Sequence, residues 1–212
     1  MHPFLQCSVP HHLHQLFCDL EQNQKKDKSF YQLLKNTKEI LNGKFKSSNK
    51  VILEQFLEGE ELSYFIIVDE KSYQFFGSAQ DHKRVGEKDT GLNTGGMGAY
   101  SPAPILTKKL EEKIRKKIIE PTLKFMKKLN HTYKGILYAG LMIKNGEPYL
   151  IEYNIRMGDP ECQVLMMRLK TDLLKILDYA TKNKLSNLKI SWSKKKNNYY
   201  CFVRKRLSFK IH

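Results

Sequence analysis

The chain has 212 residues, 41% hydrophobic and 28% charged, enough to bury one core or two small ones and too balanced to stay disordered. No apolar stretch approaches the ~20 residues of a membrane-spanning helix, and the start, MHPFLQCSVPHHLHQLF, lacks a signal peptide's basic and clean apolar regions, so no membrane partner and a cytoplasmic location are expected. The formal net charge of +15 raises nucleic acid as a partner, but the lysines are scattered and lack interleaved aromatics; a solvated Lys-rich surface ranks first, anionic small-molecule substrates second, and no nucleic-acid partner is expected.

Residues 1–30 show no hydrophobic period. The histidines of HHLH have no carboxylate or cysteine at ligand spacing, and Cys7, Cys18, Cys162 and Cys201 form no CxxC, so this stretch reads as an irregular leader rather than a metal site. From SFYQLLKNTKEIL a helical face begins, with Tyr31, Leu34, Ile40 and Leu41, and stops at Gly43. VILEQFLEGEELSYFIIVD predicts two strands, Val51 to Leu57 and Leu62 to Val68, on either side of Gly59, and YQFFGSA a short third. The stretch AQDHKRVGEKDTGLNTGGMGAYSPAP then breaks all periodicity, with Gly86, Gly91, Gly95, Gly96 and Gly98 inside it. A long structureless loop is expected there, and such loops are usually functional. Helical spacing returns over residues 107–130 through Leu110, Ile114, Ile118 and Leu129, with Pro121 as a kink or break. GILYAGLMIKNGEPYLIEYNI predicts a hairpin turning at Asn145-Gly146. Asp159 and Pro160 open another helical region, and TDLLKILDYATKN follows with Thr171 as cap candidate. Hairpins with helices laid against them give an α+β class with a mostly antiparallel sheet.

Three stretches carry chemistry. In LIEYN, strand alternation places Leu150, Glu152 and Asn154 on one face, and Ile151 and Tyr153 on the other. A carboxylate and an amide oxygen two residues apart can reach one hard cation such as Mg²⁺; a solvated polar face on an edge strand explains the same pattern, with Arg156 and Asp159 adding weight to the metal. The glycine-rich stretch matches neither Walker A nor GxGxxG. Its NTGGMGAYSP could offer backbone N–H groups to an anion, with Lys83 and Arg84 for phosphate or carboxylate; a plain surface loop is the alternative, made less comfortable by Asp81, His82, Thr94 and Met97. Glu54, with the backbone of Gln55 and Leu57, could hydrogen-bond a planar heterocycle along a strand edge, or simply precede an acidic turn.

Taken in order, ILEQFLEGEELSYF, GSAQDHKRVGEKDTGLNTGGMGAYSP, GILYAGLMI and LIEYNIRMGDPECQVLMMRLKTDL resemble the phosphoribosylamine–glycine ligase family of ATP-grasp enzymes over residues 31–196. The resemblance implies the carboxy-terminal half of an ATP-grasp unit, in which ATP drives amide formation between glycine and 5-phosphoribosylamine through glycyl phosphate, in purine biosynthesis. It implies ATP and Mg²⁺ (or Mn²⁺) as cofactors and Glu152 and Asn154 as metal ligands. It further implies Glu54, Gln55 and Leu57 at the adenine, Glu61 at the ribose, and Asp81, Lys83, Arg84, Thr94, Gly95, Gly96 and Met97 in the substrate and phosphate site. Arg156 and Asp159 take catalytic places beside them.

The family's chains are about twice as long, and the lysine-bearing strands and glycine-rich flap of the first ATP-grasp half have no counterpart in residues 1–30. A complementing chain carrying that half is therefore an expected partner, and a catalytically incompetent nucleotide-binding fragment is the alternative to an active ligase. Residues 197–212 depart from the family as an aberrant tail. Codons for KRLSF, read one nucleotide out of register, can spell the Lys-Gly-Tyr-Pro expected downstream, so a frameshift near Lys194–Lys196 is expected. Sequencing the locus tests it.

Overall fold

The computed structural model describes residues 5–8, 35–44, 52–55, 57–86 and 90–200. The HHLH histidines, the start of the first predicted helix and the tail beyond Tyr200 lie outside them. The described residues fall into two compact units. In the first, the strand β1 (Leu5–Ser8), inside the aperiodic leader, pairs antiparallel with β2 (Ile52–Gln55), matching Gln6 to Glu54 and Leu5 to Gln55. Residues 35–39 are helical and run into a π turn over Ile40–Lys44, which holds Gly43 as its next-to-last residue. Arg84 to Thr94 also belong to this unit.

The second unit is built on a sheet of order β7-β6-β3-β4-β5-β8, where β3 is Glu60–Val68, β4 Tyr73–Gly86 (in this unit as far as Lys83), β5 Thr90–Ser101 (in this unit from Gly95), β6 Gly135–Lys144, β7 Glu147–Asn154 and β8 Asn197–Tyr200. Every pairing with a resolved register is antiparallel, as the α+β reading expects. The run SYFIIV makes β3 the central strand because both of its faces are apolar, and Leu62 to Val68 are all buried. On one face Leu62, Tyr64, Ile66 and Val68 pack with Leu137, Ala139 and Leu141 of β6 under Leu110, Ile114, Ile118 and Ile119. On the other, Phe65, Ile67 and Phe76 pack with Leu165, Ile176, Ala180 and Leu185.

The covering helices show why these residues fold as they do. Helix α1 (Lys108–Ile114) starts at Thr107, whose hydroxyl accepts from the Leu110 N–H. Pro121 neither breaks nor sharply ends the run. The chain passes through a π turn, Arg115–Ile119, in which the Glu120 N–H reaches the Arg115 carbonyl, and continues as α2 (Glu120–Lys128). Lengthening the hydrogen-bond register by one residue just ahead of Pro121 accommodates the missing proline donor. On the opposite face lie α3 (Glu161–Met166) and α4 (Leu173–Thr181). The cap of α4 is Asp172, which accepts from the Lys175 N–H, not Thr171; the Thr171 hydroxyl instead accepts from the Ser191 N–H. The hairpin β6–β7 turns at Asn145 and Gly146 with φ of 53° and 71°, the left-handed pair that an Asn-Gly turn requires.

The long glycine-rich loop expected over residues 79–104 is mostly strand: β4 and β5 run through it. Side-chain periodicity fails there because its small residues answer to a neighbour rather than to a two-sided core. Ala79 and Ala99 pack directly against Val164 of α3, and larger side chains would hold that helix off the sheet. Arg168 closes the far end, donating to the Ser101 hydroxyl at 2.8 Å and to the carbonyls of Ser193 and Lys195, with its guanidinium over Trp192.

The turn between β3 and β4 is held by Asp69, buried to 3% exposure. Its Oδ1 accepts from the N–H groups of Lys71 and Ser72 and from the Ser72 hydroxyl, and its Oδ2 from the Leu185 N–H at 2.9 Å. Burial alone would raise its pKa, but these donors outweigh it and hold the carboxyl below its ordinary value. The group therefore stabilises the fold above the unfolded value of ~3.9, and that contribution is lost as pH falls through the lower folded value. Asp69→Ala should cost about 1–3 kcal/mol, seen as a lower urea midpoint at neutral pH, because four donors lose their acceptor.

Candidate functional site

The ladder assigns the site's faces. Asn154 lies opposite Tyr138 and Glu152 opposite Gly140; Gly140 is opposite Ser63, and Ser63 opposite Ala79. Opposed residues share a face, so one row runs from Glu152 across β6 and β3 to β4, about 14 Å at the usual strand spacing. By alternation Glu61 of β3 and Asp81 and Lys83 of β4 stand on the same face, the one α3 covers in part. Leu141 pairs with Leu150, leaving Ile151 as a bulged extra residue. The bulge corrects the alternation read from LIEYN: Leu150 is on the opposite face from Glu152, whereas Glu152 and Asn154 do share theirs.

The Asn154 amide Nδ2 donates to Glu152 Oε1 at 2.9 Å. That bond holds the two side chains together and leaves Glu152 Oε2 and the amide carbonyl as hard oxygen donors. Gly140 beneath them keeps the floor low, since a Cβ there would sit 3.4 Å from Glu152 Cγ. Among the described residues no three His, Cys, Asp or Glu side chains are grouped to hold a metal. Two neighbouring oxygens without a full protein cage suit Mg²⁺, which keeps waters and phosphate oxygens in its remaining positions.

Across the same face Lys83 Nζ lies 2.5 Å from Glu61 Oε2 and 3.9 Å from Asp81 Oδ2. Burial opposes the charge on Lys83, but Glu61 and Asp81 outweigh it and raise its pKa, so the amine stays protonated. Asp81, with a side chain only 6% exposed, is pushed up to about 6 by burial; Lys83 pulls the other way, and Glu161 and Glu61 add to the rise. The face thus combines a fixed ammonium with a carboxyl whose pKa burial raises above the ordinary carboxylate range.

The Gly158-Asp159-Pro160 corner stands beside this floor. Arg156 Nη1 donates to the Met157 carbonyl at 3.0 Å, and Asp159 accepts from Gln163 Nε2 at 2.7 Å; both Arg156 and Asp159 are exposed. Gly96 of β5 packs on the corner with φ of 131°, and a Cβ there would lie 2.6 Å from Pro160 Cδ and 3.1 Å from the Asp159 carbonyl oxygen. Gly96→Ala should therefore cost roughly 1–3 kcal/mol in backbone strain and push the corner away from β5. A thermal melt checks the first effect, and displaced Asp159 and Gln163 amide resonances the second.

One unit thus holds Glu61, Asp81, Lys83, Gly95, Gly96, Met97, Glu152, Asn154, Arg156 and Asp159, whereas Glu54, Gln55, Leu57, Arg84 and Thr94 belong to the other. Three polar residues absent from the sequence-based set also sit on this floor. Glu161 is 2% exposed, and its Oε1 accepts from the Ser63 hydroxyl at 2.9 Å and the Tyr138 hydroxyl at 3.0 Å. The signal for Glu161 was its place directly after Asp159-Pro160; nothing in the sequence marks Ser63 or Tyr138 as its partners.

This antiparallel floor with helices on both faces is the ATP-grasp arrangement. A solved phosphoribosylamine–glycine ligase from Thermotoga maritima superimposes with a TM-score of 0.67 at 25% identity, over 85% of this chain and 50% of that one. The biotin carboxylase–β,γ-ATP complex from Campylobacter jejuni matches with a TM-score of 0.51 at 17% identity, over 74% of this chain and 32% of that one, and shows the fold alone. A family model described as phosphoribosylglycinamide synthetase, ATP-grasp (A) domain, matches residues 27–162, and the chain belongs to that family. It is 55% identical over 158 residues to the chloroplastic phosphoribosylamine–glycine ligase of Arabidopsis thaliana, 73% of this chain and 30% of that protein. To the phosphoribosylamine–glycine ligase of Vigna unguiculata it is 54% identical over 157 residues, 73% of this chain and 50% of that protein. The chain thus spans between 30% and 50% of these relatives' length.

Proposed function

We propose that the chain carries the metal- and phosphate-binding floor of a ligase joining glycine to 5-phosphoribosylamine, with ATP consumed to ADP and phosphate. The observation that carries this reading is the Glu152–Asn154 oxygen pair, on the same sheet face as the Lys83–Glu61–Asp81 group. Glu152 and Asn154 would hold Mg²⁺ or Mn²⁺. Metal–ATP bound there would supply the phosphoryl group that activates the glycine carboxylate, leaving ADP, and the phosphoribosylamine nitrogen would displace that group as phosphate.

This chain's residues position groups and offset charge in that scheme, the usual protein share of phosphoryl transfer. Lys83, held protonated by Glu61 and Asp81, offers a fixed positive charge to a carboxylate or phosphate. Arg156 offers a second from the corner, and Asp159 a carboxylate beside it. Gly95, Gly96 and Met97 bring β5 alongside. Glu54, Gln55 and Leu57 at the adenine, Glu61 at the ribose, and Arg84 and Thr94 in the substrate site complete the proposal by family likeness. The cytoplasm is the proposed compartment, and among the described residues no helix is long and apolar enough to cross a membrane.

The test is ADP release by the purified chain, alone and mixed with the separately expressed amino-terminal portion of a related ligase as complementing chain. Release that requires both glycine and phosphoribosylamine, in either sample, supports the reading. Release indifferent to both substrates overturns it. A nucleotide-binding unit without ligase activity is the second reading. It predicts metal-dependent nucleotide binding with no release in either sample.

A further inference from the structure

A carboxylate removed from water is costly unless charge partners or hydrogen bonds replace the lost hydration. Glu161 is 2% exposed, yet it opens a helix of only six residues, Glu161–Met166. A favourable place in a first helical turn needs no burial, so the position calls for another cause. The carboxylate reaches two strands distant in sequence, where Oε1 accepts from Ser63 of β3 and Tyr138 of β6. Those hydroxyls lie 2.9 Å apart, so one oxygen gathers both.

The rest of the carboxylate fills the hollow beside Gly158. A Cβ at that position would lie 2.2 Å from Glu161 Oε2 and 2.7 Å from Oε1. The corner therefore folds around its own glutamate, and any side chain at 158 would expel it. The Cys162 N–H closes the loop on the Gly158 carbonyl at 2.9 Å. The two anchor hydroxyls also stand in particular rows: Tyr138 opposes Asn154, and Ser63 opposes Gly140, which opposes Glu152.

We propose that Glu161 is a positioning residue: its carboxylate pins the corner bearing Arg156 and Asp159 to the strand rows that end in the Glu152–Asn154 pair. The proposal rests on the reading of that pair as a metal–nucleotide site. Glu161 touches neither metal nor nucleotide in this account; it fixes the distance between the corner and the floor. Asp81 and Lys83 of β4 and Glu61 of β3 are the charged groups facing it across the floor.

The test uses the full 212-residue chain, amide spectra and titration with Mn²⁺-ATP. Glu161→Gln keeps the size and loses the charge. Tyr138→Phe removes one anchor and keeps the ring stacked on Phe65, 4.5 Å between centroids. Both should displace the amide resonances of Arg156, Gly158 and Asp159 together with those of Glu152 and Asn154, and weaken Mn²⁺-ATP about tenfold, the scale of losing a supporting hydrogen bond behind metal ligands. Ile176→Val, a core change on the same side, should lower the melting temperature without either effect. If Glu161→Gln fails to fold, Tyr138→Phe alone decides. Unmoved corner amides with wild-type affinity in the folded variants overturn the proposal. A wild-type chain with no affinity for Mn²⁺-ATP would remove the nucleotide reading instead, leaving the amide displacements to decide positioning.

Discussion

Glu152→Gln is expected to abolish metal-dependent nucleotide binding while leaving the fold intact. Glu152 is the only anionic member of the proposed ligand pair, and Asn154 adds a neutral oxygen at most. Exchanging a carboxylate for an amide leaves the cation without protein charge at that position. We expect at least a hundredfold loss of affinity for Mg²⁺-ATP, about 2.7 kcal/mol. Glu152 is exposed on the edge strand β7, so its stability effect should stay within about 0.5 kcal/mol. Asn154→Ala should lose less by itself. Because the two side chains share a hydrogen bond at 2.9 Å, the double variant should fall short of the sum. Calorimetric titration with Mg²⁺-ATP, beside urea melts of each variant, checks both halves. Equal loss of stability and binding would mean that the residue holds the sheet edge, not a metal.

Asp81→Asn should make the protein more stable and less functional at once. The folded-state pKa of Asp81 is about 6, against ~3.9 unfolded. Between those values the folded state holds the extra proton, so stability falls as pH rises from about 4 to about 6, then levels off. At about 1.4 kcal/mol per pKa unit, the ionised group costs about 3 kcal/mol at neutral pH. Lys83 offsets part of the burial cost, but Glu61 and Glu161 repel the charge. The Asn variant removes that cost and should flatten the slope between pH 4 and 6, while Lys83 keeps Glu61 at 2.5 Å. Loss of ligation alongside gained stability is the expected trade-off of a strained site. Urea midpoints from pH 4 to 8 read the first effect, and a slope unchanged from wild type would contradict it.

The sequence was most readable where one physical cause dominates. The β6–β7 hairpin was visible because Asn145-Gly146 allows only a tight left-handed turn, and β3 because SYFIIV is apolar on both faces. The strands of residues 79–101 were hidden because Ala79 and Ala99 are small to admit Val164 of α3, and helix packing leaves no periodic trace. The bulge at Ile151 was hidden for a related reason: LIEYN reads as regular alternation whether or not one residue is extra. In the candidate site, the Glu152–Asn154 spacing was visible and the Lys83–Glu61–Asp81 grouping was not, since it depends on the β3–β4 register. Glu161 is absent from the sequence-based set because an acid normally reads as solvent-exposed, and its contacts with Ser63 and Tyr138 need the fold. The likeness to the ligase family linked stretches that local patterns left separate.

The most direct test of the account is paramagnetic broadening by Mn²⁺ in the wild-type chain, followed residue by residue in amide spectra with and without ATP. Broadening that needs ATP and centres on Glu152 and Asn154, extending to Gly140 and Asp159, is expected. Broadening centred elsewhere, or none when Mn²⁺ and ATP are both present, would contradict it.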